Sequence, residues 1–405
     1  MDKLKNQENV PKLRFPGFND EWVEKKLFEI SDINDGTHKT PDYVNNGIPF
    51  FSVENITNST PPKKISIEEH NKLIKRCHPK KGDILLTRIG TLAKSKIIDW
   101  DYEFSIYVSL ALINSIKIYN FFLYQYLKTP SYQKDFFRRS LLLAVPQKIN
   151  LKDLNETTIK YPSNEEQYII GNFLLIVDKK IELMEKKYDS LKLYKKGFIQ
   201  QIFSQEIRFK NSENMFSDWK NRKLSDFLFE HKLKSTDNEE VYSVSVHKGL
   251  VNQIEHLGRD FSSKNTSKYN LVKPGDIVYT KSPTGEFPLG IIKQSRINKD
   301  VIVSPLYGVF SPETFDLGYI LNEYFESEVN TYNYLHPIVQ KGAKNTMNIS
   351  NKTFLSKTLF VPTDKNEQKL IHTILAKINK KIDSVEQQLE KIKEFKKYLL
   401  QQMFV

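Results

Sequence analysis

The feature that most constrains this 405-residue chain is that it repeats itself. Residues 166–203 recur as residues 367–404, an offset of 201 that needs no gap. Glu166-Gln167 matches Glu367-Gln368, and Lys179-Lys180-Ile181 matches Lys380-Lys381-Ile382. Lys195-Lys196, Gln200-Gln201 and Phe203 return as Lys396-Lys397, Gln401-Gln402 and Phe404. A chain of this length exceeds one ordinary core, so the duplication predicts two globular parts.

Both copies space their apolar residues alternately three and four apart. In the first, one seam position holds Leu174, Ile181, Tyr188 and Ile202, and the other Ile170, Val177, Met184, Leu191 and Phe198. In the second the two sets are Leu375, Ile382, Leu389 and Met403, and Ile371, Ile378, Val385, Ile392 and Leu399. Sustained over about five heptads, this predicts long helices packed as a coiled coil. The competing arrangement is two amphipathic helices lying on separate cores. Lys195 and Lys396 interrupt the seam at matching positions, where the packing is expected to loosen. Neither copy contains proline, and Pro162 and Pro362 stop the segments before them.

Fainter echoes surround the helices. Phe18, Trp22, Lys26 and Leu27 return as Phe216, Trp219, Lys223 and Leu224. Lys80-Lys81-Gly82-Asp83 and Lys273-Pro274-Gly275-Asp276 read as tight turns entering strands at 84–87 and 277–280. Ala144-Val145-Pro146-Gln147-Lys148-Ile149 aligns with Lys344-Asn345-Thr346-Met347-Asn348-Ile349, and short strands at 160–162 and 360–362 close each globular part. Helical stretches at 121–127 and 317–324 among these strands give an α+β class. The expected order is a globular domain over 1–163, a helix over 164–210, a second domain over 211–363 and a second helix over 364–405. A 38-residue helix is about 57 Å long. A parallel pair asks the second domain to bridge nearly that length, whereas an antiparallel pair asks only for a local return. The expectation is therefore an antiparallel coiled coil relating the halves by a pseudo-two-fold axis.

Lys and Arg number 61 against 49 Asp and Glu, a net charge of +12. That surplus suits a polyanion, because cations that neutralise phosphates release condensed counterions. Basic proteins without a nucleic-acid partner share it, so charge alone does not decide. Cys77 stands alone, which excludes an internal disulfide framework and points to a reduced, cytoplasmic compartment. The polar first residues carry no secretory h-region, and no run of about eighteen uncharged apolar residues suggests a membrane span.

The duplicated order resembles the specificity subunits of type I restriction–modification enzymes across essentially the whole chain. Residues from Val10-Pro11-Lys12-Leu13-Arg14-Phe15-Pro16-Gly17-Phe18 through Trp22 resemble that family's opening, and Asp35-Gly36-Thr37-His38-Lys39-Thr40-Pro41 a familiar early segment. Gln147-Lys148-Ile149-Asn150 and Gly342-Ala343-Lys344-Asn345-Thr346-Met347-Asn348-Ile349 are similar to the segments leading out of its domains. The second half lacks a Gly-Thr-His segment. The resemblance implies two target-recognition domains on double-stranded DNA, with two methyltransferase subunits docked on the helices to methylate adenine at N6 on each strand. Motor-nuclease subunits would join for cleavage of unmodified DNA. S-adenosylmethionine, ATP and Mg2+ are then expected on those partners and no cofactor on this chain. A pseudo-symmetric reader addresses two half-sites about one helical turn apart. Because the domains differ, the target is expected to be split and asymmetric.

Base edges are read by Arg, Lys, Asn and Gln, and phosphates accept from Lys, Arg, Ser, Thr and backbone N–H. Candidates in the first domain are His38, Lys39, Thr40, Arg88, Thr91, Lys94, Lys96, Arg138, Arg139, Gln147 and Lys148. Those in the second are His247, Lys248, Lys281, Ser282, Thr284, Lys341, Lys344 and Asn345. His38 also fits a satisfied residue in a turn. For each of the others, a solvated surface side chain is the alternative.

Catalytic patterns are missing. Thr60-Pro61-Pro62-Lys63 lacks both flanks of an adenine-methyltransferase loop, and Ile291 follows Gly290 where a phosphate loop needs Lys. Asp83 and Asp276 each stand alone in a turn, and eight histidines with one cysteine make no metal set. The chain is expected to be non-catalytic by itself. The remaining alternative is a non-catalytic coiled-coil scaffold with two protein-binding domains, which duplex binding steeply dependent on salt would exclude.

Overall fold

The duplication is plainest in the order of the strands. The computed structural model describes all residues except 1–8, 59, 211–215, 237–238, 255–265 and 342–346. In the first half, strands Ser31–Asp35, Leu110–Ser115, Ile84–Thr87 and Ser95–Ile97 lie in that order, all antiparallel. In the second half Leu228–Glu230, Gly308–Pro312, Ile277–Thr280 and Ile291–Gln294 repeat the order and the pairing. A second short ribbon joins the beginning of each globular part to its end. Val23–Lys26 pairs with Thr158–Tyr161, and Lys220–Lys223 with Thr358–Val361.

The two Gly-Asp turns are built alike. Gly82 and Gly275 have φ of 92° and 91°, which a residue with Cβ adopts only with strain. The Lys80 amide donates to Asp83 Oδ2 at 2.9 Å, and the Lys273 amide to Asp276 Oδ2 at 2.7 Å. Both aspartates therefore shape turns. The strands that follow are buried on both faces, which is why they read as continuous apolar runs. Ile84 and Leu86 face a cluster with Trp22 and Phe122, while Leu85 faces one with Phe104 and Leu112. Ile277 and Tyr279 pack with Phe310 and Phe354, and Val278 with Val272 and Val301.

Each repeat ends in a long helix, Asn164–Phe203 and Lys365–Gln402. The chain forms two compact units, residues 1–187 with 385–405, and residues 188–384, so each unit holds parts of both helices. In the first unit Ile170, Leu174 and Val177 pack with Leu399, Met403 and Phe404, with Ile181 and Ile392 at the margin. In the second, Ile199, Ile202 and Phe198 pack with Ile371 and Leu375. The start of one helix meets the end of the other in both units, so the pairing is antiparallel. Met184, Val385 and Leu389 in the first unit and Ile382 in the second are buried, and Tyr188, Leu191 and Ile378 in the second are half-buried.

The seam does not loosen at its two lysines. Lys195 Nζ lies 2.6 Å from Glu323 and 2.7 Å from Glu326, and Lys396 pairs with Asp178. Their side chains are only 14% and 13% exposed. A polar seam position is thus used for ion pairing, not left open. The repeated Glu-Gln pair has an equally local reason. Glu166 takes Arg14 in a bidentate pair at 2.8 and 2.7 Å, and Glu367 takes Arg208 at 3.2 Å and Trp219 Nε1 at 3.1 Å. Gln167 and Gln368 donate to the carbonyls of Pro162 and Pro362 at 2.8 and 2.9 Å, fixing where each helix leaves its domain.

Candidate nucleic-acid interface

Asp35, the last residue of its strand and 2% exposed, is the hub of the first unit's loops. Arg88 Nη1 donates to Asp35 Oδ2 and to the Val108 carbonyl, both at 2.9 Å, and Arg88 Nε donates to the Ile149 carbonyl at 3.3 Å. Arg76 Nη2 reaches Asp35 Oδ1 at 2.5 Å, and His38 Nε2 lies 3.0 Å from Oδ2. One carboxylate therefore ties together the segments that follow the strands Ser31–Asp35 and Ile84–Thr87 and the helix Ile67–Leu73. Arg88, 6% exposed, works inside this network and not on the surface. Burial pulls its guanidinium below the ordinary value, and Asp35 opposes that shift.

The remaining first-domain candidates lie at or near the surface. His38, Lys39, Thr40, Thr91, Lys94 and Lys96 are exposed, as are Arg138, Gln147 and Lys148, while Arg139 is half-buried. Thr40 Oγ1 lies 3.5 Å from Tyr107 Oη, the Lys94 amide donates to Thr87 Oγ1 at 2.9 Å, and Lys96 Nζ sits 5.4 Å from the Trp100 ring centre. Asp135 holds Arg138 at 2.6 Å and Arg139 at 3.1 Å. The Gly90 amide donates to the Gln147 carbonyl at 2.8 Å, and the Ile149 amide to the Arg88 carbonyl at 2.9 Å. The loops after residues 88 and 140 are thus backbone-bonded to one another. Gly36 is needed for closeness: a Cβ there would meet the Ile106 carbonyl oxygen at 1.9 Å.

The second unit places different chemistry on the same frame. Lys281 follows Thr280 as Arg88 follows Thr87. Burial lowers the Lys281 ammonium, opposed by Glu230, which accepts from Asn351 Nδ2 at 2.8 Å. Ser282 and Thr284 are exposed, and the Phe287 amide donates to Thr284 Oγ1 at 3.1 Å. His247 and Lys248 are exposed at a hairpin turn, with His247 Nε2 3.6 Å from Glu286. Lys344 and Asn345 lie outside the described residues, as does the side chain of Lys341.

Residues 19–193 match the family described as "Type I restriction modification DNA specificity domain". Over 98% of this chain and 99% of the other, the fold is similar to the crystal structure of a type I restriction–modification S subunit from M. genitalium, with a TM-score of 0.64 and 16% identity. The HsdS subunit from Thermoanaerobacter tengcongensis is covered to 97% by 96% of this chain, at a TM-score of 0.40 and 12% identity.

Asp35 and Arg76 are not among the sequence-predicted candidates. Asp35 stands in the quoted Asp-Gly-Thr-His segment, but a buried carboxylate that gathers two arginines and a histidine cannot be told from a turn aspartate by type alone. The nearby Cys77 is buried, which pushes its thiol up to about 12, and Asp35 adds to the shift. Among the described residues no helix is long and apolar enough to cross a membrane.

Proposed function

We propose that this chain is the specificity subunit of a type I restriction–modification complex, reading a split, asymmetric duplex target through its two globular domains. The observation that carries this is one four-stranded frame built twice with unlike loops. Asp35, His38 and Arg88 furnish the first copy, and Glu230, Lys281 and Ser282 the second. A reader of two different half-sites needs such a constant scaffold with variable edges. The contacting set is His38, Lys39, Thr40, Thr91, Lys94, Lys96, Arg138, Arg139, Gln147 and Lys148, then His247, Lys248, Ser282 and Thr284, together with Lys341, Lys344 and Asn345. Arg88 and Lys281 act as positioning residues.

Chemistry falls to partners that bring S-adenosylmethionine for adenine N6 methylation, and ATP with Mg2+ for motor-driven cleavage of unmodified DNA. Ile169, Ile176 and Leu183 support docking of methyltransferase subunits. They recur every seven residues on the first long helix and stay 38%, 66% and 64% exposed, outside the buried seam. The test is single-molecule mapping of N6-methyladenine across the host genome, with this gene intact and deleted, in a strain holding no second specificity gene. Loss of one split motif methylated on both strands is the expected result. An unchanged methylation pattern would reject the reading.

A further inference from the structure

The loop over residues 141–148 carries an apolar tip that the fold leaves bare. Leu143 is 99% exposed and Val145 100%, with Leu142 at 43%, although Phe136 and Ile149 on either side are fully buried. A single exposed leucine is ordinary, but a run of exposed aliphatic residues on one projection is not. The projection is braced. The Leu141 amide donates to the Lys148 carbonyl at 2.7 Å, closing the loop, and its return limb is bonded to residues 88–90 through Gly90 and Ile149. It therefore stands on the same backbone frame as Thr91 and Lys94, held through Arg88 by the Asp35 hub.

Polar donors flank the tip along the chain. Arg138 and Arg139 precede it, oriented by Asp135, and Gln147 and Lys148 follow it. An apolar point flanked in the chain by basic residues fits a polyanion whose interior is apolar, and stacked base pairs inside a phosphate backbone are that surface. We propose that residues 142–145 form a wedge that enters between adjacent base pairs of duplex DNA and unstacks them. Arg138, Arg139 and Lys148 hold the flanking phosphates. The inference rests on the DNA-reading function above and adds a mode of recognition: steps that unstack easily, such as pyrimidine–purine steps, are favoured beneath the wedge.

The test uses the full-length chain to enrich duplexes from a randomised pool, then scans the enriched duplex with 2-aminopurine at each position. The expected result is a several-fold rise in fluorescence at one step on binding. The double variant Leu143→Ser, Val145→Ser should abolish the rise and weaken binding roughly tenfold, with the salt slope unchanged because no phosphate contact is lost. Both side chains already lie in solvent, so thermal unfolding of the variant should match the parent. A bound duplex with no unstacked step, or unstacking that survives the double substitution, would overturn the wedge alone. Unchanged unstacking with loss of a co-purifying protein subunit would assign the tip to protein docking instead. Failure to enrich any duplex sequence would overturn the DNA-reading function together with the wedge.

Discussion

At the scale of single residues, the Asp35 hub converts a surface reading of Arg88 into an interior one. Removing a buried charge's partner leaves that charge uncompensated, which costs about 3–5 kcal/mol. Arg88→Ala should therefore destabilise the first domain by about 3 kcal/mol in urea unfolding, and pairing it with Asp35→Asn should recover much of the loss. Lys94→Gln, at an exposed position, should leave stability within about 0.5 kcal/mol and lower the salt slope of duplex binding by about one. Gly36→Ala should destabilise too, since the Ile106 carbonyl oxygen that its Cβ would strike belongs to backbone. The contrast shows where residue types suffice. His38, Lys39 and Thr40 are exposed beside the hub, in a segment the sequence singles out. Arg88 is a hydrogen-bond donor like them, and nothing local in a sequence tells an arginine facing water from one facing a buried carboxylate.

At the scale of elements, periodicity did most of the work and failed where it met charge. The strands after Gly82 and Gly275 and both long helices follow from apolar spacing and turn chemistry, because burial on two faces or along one stripe is written in residue type. The lysines in the seam were not legible, since their partners sit far along the chain. Glu323 and Glu326 lie on the helix Phe315–Phe325 and its end. Glu326 shows what this pairing does. Burial would raise its carboxyl, but Lys293, Lys195 and Arg296 outweigh that and hold it at about 2. A carboxylate depressed in the folded state contributes stability that is complete above its unfolded value, ordinarily near 4.5, and is lost as pH falls toward 2. The second unit should therefore lose stability across that window, and Glu326→Gln should flatten the slope of unfolding free energy against pH. Lys195→Ala should destabilise the unit at neutral pH by about 3 kcal/mol, because Glu323 is fully buried beside it.

At the scale of the molecule, the segment order along the chain and the compact units are different divisions. Sequence periodicity separates helix from domain at 163–164 and 363–364, whereas packing groups residues 385–405 with residues 1–187. The reason lies in one aromatic cluster. Phe404 sits 6.0 Å from Trp22, 5.4 Å from Phe122 and 5.9 Å from Tyr126, and Leu399 and Met403 belong to the same core. The Leu13 amide also donates to the Gln402 carbonyl at 2.9 Å, tying the opening segment to the last helical turn. Burying each of those three apolar side chains contributes about 1.5–3 kcal/mol. Their sum is a large share of the roughly 5–15 kcal/mol that holds an ordinary domain together. A chain ending at residue 384 should therefore leave its first 187 residues open to limited proteolysis, with the fluorescence of Trp22 shifted toward that of a solvated indole. A synthetic peptide of residues 385–405, added in excess, should restore protection, while the Phe404→Ala peptide should do so only at higher concentration. Protection of the truncated chain without any peptide would mean that the N-terminal core closes on itself, and that the terminal helix only covers a surface already formed.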